Sequence, residues 1–137
     1  MASVSDGLLS VLQHADSMFP NGAVSFSWAL EPFGNRNRVS DSASLEQFLV
    51  AQLEGRWANF DRPALAHACA AANNLGELSR LDRLIEAQTL PAELRLGSSR
   101  MGRALLNVHV KLHTHQASAY LGMVERRHAF GHISVVQ

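Results

Sequence analysis

The sequence predicts an all-α fold, a single-domain bundle of about seven helices spanning residues 1–137. Three observations carry this. Apolar residues recur at three- and four-residue spacings along most of the chain. Leucine and alanine, both good helix formers, fill the segments between turn signals. No two alternating segments are joined by hairpin-turn residues, so no sheet is expected.

The elements follow in order. Asp6 can cap a first helix with Leu8, Leu9, Val11 and Leu12 inward, ending near Asp16. Pro20, Asn21 and Gly22 make a compact turn, since Pro20 fixes its own φ and Asn21 and Gly22 tolerate positive φ. A short helix is expected over residues 25–33, stopped by Gly34 and Asn35. After a polar loop the next helix is capped at Asp41, Ser42 or Ser44, and Ser44 to Gln47 matches a capping box. Leu45, Phe48, Leu49, Leu53, Trp57 and Phe60 then mark one face of a helical period. Asp61, with Pro63 just inside, reads as the cap of a separate, alanine-rich helix running to about Ala72. Such a helix lets neighbours approach closely and is expected at the centre. Residues 76–88 form a shorter helix with Leu78, Leu81, Leu84 and Ile85 on one side. Thr89 and Pro91 open the longest helix, and another covers roughly 116–130, with Gly131 as its C′ residue. The last residues begin an apolar element at which the chain stops, so the domain reads as incomplete at its C-terminus.

Composition narrows the function. A chain of 137 residues buries roughly 70% of its unfolded surface, enough for a real core. Twelve basic residues balance twelve acidic ones, so no field favours a polyanion and nucleic acid is not an expected partner. Cys69 is the only cysteine, which excludes an internal disulfide and a thiolate-rich metal site. The N-terminus lacks the basic and apolar regions of a signal peptide, and no run reaches the ~18 apolar residues of a membrane span. A cytoplasmic protein without membrane contact is the expectation.

Chemistry-bearing residues are sparse. His109 and His113 sit four apart with His115 close behind, a spacing at which imidazoles on one helix face can chelate a transition metal. No carboxylate falls between Arg103 and Glu125 to complete such a site, so these three are weak metal candidates. Cys69 lies on an alanine-rich face, where a buried inert thiol is expected. Residues 23–27 lack the glycines of a nucleophile elbow. Gly97 to Gly102 has no Lys-Ser/Thr pair and lies inside a helix, unlike a phosphate loop. Asp61 and Glu54 read as solvated helix charges. No catalytic residue and no stably bound cofactor is expected.

Three segments remain. The first is residues 16–31, with Asp16, Ser17, Phe19, Pro20, Gly22, Ser27, Leu30 and Glu31. The second is Glu93, Leu94, Arg95, Ser98, Gly102, Arg103, Leu105 and Leu106. Arg95, Ser98 and Gly102 share one helix face that combines a donor, a hydroxyl and a gap. The third is Gly131, His132, Val135, Val136 and Gln137. In this order and spacing they resemble the urease accessory protein UreF family. That family shows D-S-x-F-P-x-G-G-F-x-x-S-x-G-L-E, then E-L-R-x-x-S-x-x-x-G-K/R-x-L-L, then G-H-x-P-V-V-Q-G. The chain departs from the pattern at Ala23, Val24, Ala29 and Ser134, and it resembles roughly the first three-fifths of a family member.

The resemblance implies a non-enzymatic, all-α adaptor for nickel insertion into apo-urease. Such an adaptor is dimeric, binds UreD (also called UreH), recruits the GTPase UreG, and handles nickel only through the complex. Phe19, Pro20, Gly22, Phe26, Ser27, Glu31, Arg95, Ser98 and Gly102 are then the partner-interface candidates. The alternative is a truncated or degenerate helical interaction domain without urease-maturation activity.

Overall fold

The computed structural model describes residues 4–16, 19–20 and 30–136. The helices are α1 (Val4–Ala15), α2 (Leu30–Asn35), α3 (Ser42–Ala51), a π-helical segment (Gln52–Asp61), α4 (Arg62–Ala70), α5 (Leu75–Gln88), α6 (Ala92–Lys111), α7 (Ala117–Glu125) and α8 (Ile133–Val136). No strand occurs among the described residues. Because α3, the π segment and α4 run on without a break, these elements make seven helical rods, as the sequence predicts.

The expected stop at Asp61 is absent. Asp61 has helical φ −69° and ψ −42° and caps nothing. In π geometry each residue stacks over the one five positions on. Arg56 therefore reaches Asp61, Nε to Oδ2 at 2.9 Å, and Arg62 lies over the Trp57 ring at 5.9 Å. Asp61 is thus half-buried in an ion pair, not a solvated charge; burial raises its carboxyl pKa and Arg56 opposes the rise.

The alanine-rich helix is central, as expected. Ala64 and Ala68 of α4 join Leu78, Leu81 and Ile85 of α5, Leu106 of α6, Tyr120 and Val124 of α7 and Val135 of α8 in one core cluster. The short α8 packs against α4, α5 and α6 together. The apolar stripe of α3 and the π segment has the predicted period but not the predicted burial. Leu45, Leu49, Leu53 and Trp57 are exposed, Leu53 by 58%, since α2 brings only Leu30 beside Leu49, Leu53 and Trp57. Leu8, Leu9, Val11 and Leu12 of α1 are exposed as well. The stripe's two phenylalanines fare better: Phe48 meets Phe33 at 5.7 Å and Phe60 packs on the core.

Helix ends explain the remaining shifts. α2 includes Gly34 and Asn35 and ends on Asn37 in the left-handed region, φ 55°. The amides of Asn37 and Arg38 return to Gly34 and Phe33 carbonyls, a Schellman motif. α6 closes in the same way on His113 (φ 55°) and α7 on Arg127 (φ 60°). α7 therefore stops five residues before the expected Phe130, and Arg127, not Gly131, is its C′ residue.

Candidate functional site

The second and third sequence segments, 35 residues apart in sequence at Ser98 and Ile133, form one structural unit where α8 lies on α6. Gly102 opens the contact. A Cβ on it would lie 2.0 Å from the carbonyl oxygen of Gly131, so α6 must present bare backbone there. Gly131 itself has φ 74°, and a Cβ on it would lie 3.1 Å from Val124 Cγ2, so glycine is favoured twice over. Ser98 Oγ accepts the Ile133 amide at 3.3 Å, capping the first turn of α8.

Asp82 organises the loop before α8. It is fully buried and accepts the backbone amides of Phe130, Gly131 and His132, the last two at 2.8 and 3.0 Å. Three amides on one carboxylate hold the loop as a nest around an anion. Burial, followed by the charge of Asp82, pushes the Tyr120 phenol pKa upward. Nearby, Ser79 Oγ donates to the His128 carbonyl at 2.8 Å and accepts from Arg83 at 3.0 Å.

The third contact is a chain of polar side chains. His132 is fully buried, and its Nε2 lies 2.9 Å from Glu86 Oε2. The other oxygen of Glu86 pairs with Arg95 Nε at 3.1 Å. Arg95 Nη1 also donates to the Thr89 and Leu90 carbonyls at 2.7 and 2.6 Å, tying the α5–α6 turn to the same cluster. Ser98 and Gly102 lie buried beneath α8, and Arg95 stays partly exposed at its rim.

Among the first-segment candidates, Phe19 packs on His14 at 4.6 Å, Pro20 is exposed, and Glu31 is exposed in the first turn of α2. Gly22, Phe26 and Ser27 lie outside the described residues. The histidine spacing does not survive as a shared face, because α6 ends at Lys111 and His113 turns left-handed. His109 instead meets His14 of α1, with Nε2 atoms 3.4 Å apart, and its Nδ1 lies 3.0 Å from Thr114 Oγ1. Burial, then the neighbouring His14, lowers the His109 pKa. Among the described residues no cluster of three or more His, Cys, Asp or Glu is placed to hold a metal ion. Cys69 is exposed, contrary to the buried thiol expected, because the Ala64–Ala68 face of α4 and not the Cys69 face turns to the core. It lines a mostly apolar cavity of about 210 Å3 together with Ala68, Leu106, His109, Tyr120 and Val136.

Sequence reading missed Asp82, Glu86 and His14. Each sits in an ordinary helical pattern, and each has a defining partner 46 to 95 residues away.

Comparison with known proteins places these features in a family. The UreF family model matches residues 39–137. A urease accessory protein UreF 1 of Brucella melitensis is 37% identical over 108 residues, covering 77% of this chain and 44% of that protein. The urease accessory protein UreF of Actinobacillus pleuropneumoniae is 31% identical over 134 residues, covering 95% of this chain and 59% of the relative. That of Kocuria rhizophila is 30% identical over 131 residues, covering 95% and 56%. The chain thus spans about half the length of the curated relatives it matches. No solved structure matches it significantly. No described helix is long and apolar enough to cross a membrane. By the extent of the family match, which includes both segments joined at the α6–α8 junction, this chain belongs to the UreF family of urease accessory proteins.

Proposed function

We propose that this chain is a non-enzymatic adaptor for nickel insertion into apo-urease. It acts in the cytoplasm as a homodimer, binds the UreD (UreH) accessory protein and recruits the GTPase UreG. Nickel is cargo of the complex. The observation that supports this best is the α6–α8 junction. The residues that carry the family pattern, Arg95, Ser98, Gly102, Gly131 and His132, are spent on mutual packing and hydrogen bonding. That is the economy of a shaped surface, since a catalytic site would leave reactive groups facing a cleft.

In this reading Phe19, Pro20 and Glu31, with Gly22, Phe26 and Ser27, belong to the partner-facing surface. Arg95, Ser98 and Gly102 contribute by fixing α8. Size-exclusion chromatography with light scattering on the chain mixed with purified UreD-type protein tests the reading. A stoichiometric complex is expected; separate elution of both proteins at micromolar concentration overturns it.

A further inference from the structure

We infer that His14 and His109 together form a two-imidazole site for a late first-row divalent cation, one ligand coming from α1 and the other from α6. The Nε2 atoms face each other at 3.4 Å, with ring planes 18° apart and ring centroids 5.2 Å apart. Two imidazole nitrogens, each about 2.0–2.1 Å from a tetrahedral ion, lie about 3.3 Å apart. A hydrogen bond between the two nitrogens would be long at this distance. Rings aimed head-on at this nitrogen separation would also have their centres further apart. The observed separation therefore means that the nitrogen lone-pair directions are bent off the line joining the two atoms, as two ligands of one ion require.

The surroundings of His109 suit a ligand. Its Nδ1 lies 3.0 Å from Thr114 Oγ1, and a hydroxyl accepting the Nδ1–H leaves Nε2 bare, the outer-shell arrangement that orients histidine ligands. The Thr114 amide returns to the His109 carbonyl at 2.9 Å, so the helix-ending turn positions this hydroxyl. For both Nε2 atoms to coordinate one ion, each ring carries its proton on Nδ1. His109 and Thr114 also line the open 210 Å3 cavity. Imidazole nitrogens select nickel, copper or zinc over magnesium or calcium. Two protein ligands leave the remaining positions to water, so the bound ion is exchangeable.

This inference stands on the ring geometry and is independent of the proposed role in urease maturation. Untagged protein is titrated calorimetrically with nickel and with zinc, and with magnesium as the control. One equivalent of nickel or zinc is expected to bind, and none of magnesium. His14→Ala and His109→Ala should each weaken binding about tenfold or more, and Thr114→Val by about tenfold. His113→Ala and His115→Ala should leave it unchanged. Cobalt(II) added to the wild type should give visible tetrahedral absorption that His14→Ala loses. Because His14 lies on the peripheral α1, that variant keeps the core and carries the test even if His109→Ala unfolds. Equal binding by wild type and His14→Ala, loss of binding in His113→Ala, or no binding of either ion overturns the inference.

Discussion

Gly102 and Gly131 meet backbone to backbone: a Cβ on Gly102 would lie 2.0 Å from the Gly131 carbonyl oxygen. The atom in the way belongs to a loop held by Asp82, so no flexible side chain can yield. Gly102→Ala should therefore cost about 3 kcal/mol or more, or prevent folding, despite alanine's better helix propensity. Gly55→Ala is the matched control, since nothing lies within 4 Å of a Cβ there. It should gain about 0.5–1 kcal/mol. Urea midpoints of the two variants check the contrast, and similar effects would refute the close contact.

Asp82 holds three amides of the loop entering α8. Asp82→Asn removes the charge and turns an amide donor toward backbone donors. A loss of about 3 kcal/mol is expected, as for charge-assisted bonds to buried groups. Hydrogen exchange should accelerate at Phe130, Gly131 and His132 before the rest of the core. Uniform acceleration would show that Asp82 stabilises the fold globally and does not pin this loop.

The lowered pKa of His109 makes a signed prediction. A histidine harder to protonate in the folded state contributes no penalty above its unfolded pKa of about 6.5. Stability falls as pH drops below that value and levels off beneath the folded pKa. His109→Gln should flatten this part of the pH–stability curve. An unchanged slope in the variant would assign the effect to other groups.

The exposed stripe on α3 and the π segment should behave as surface in the isolated chain. Leu53→Ser is expected to cost under about 1 kcal/mol, whereas Leu105→Ala, at a site only 2% exposed, should cost about 3 kcal/mol. Contiguous exposed apolar residues also drive association. Sedimentation velocity should show a concentration-dependent oligomer that Leu53→Ser weakens. A monomer at all concentrations would contradict this.

Helix placement was legible because it rests on local signals. α5 begins at Leu75, one residue before the expected Gly76, and Pro91 does precede α6. Of the three caps the sequence allows for α3, Asp41 takes the position, and the capping box pairs it with Ser44 instead of pairing Ser44 with Gln47. The run through Asp61 was not legible, because Asp-x-Pro is a cap signal that the Arg56 ion pair overrides. Burial of the Leu49–Trp57 stripe failed for a different reason: a helical period says which side is apolar, not whether another element covers it. At the junction, Ser98 and Gly102 stood out as a small-residue face, but the carboxylates that complete it did not. Asp82 and Glu86 look like any charged positions on an amphipathic helix until α8 is laid against them.

The adaptor role is tested most directly by co-expressing this chain, tagged, with the UreD-type and UreG-type proteins and capturing it. Recovery of both partners with the chain is the predicted result. Recovery of neither, from cells in which a full-length UreF captures both, would contradict it.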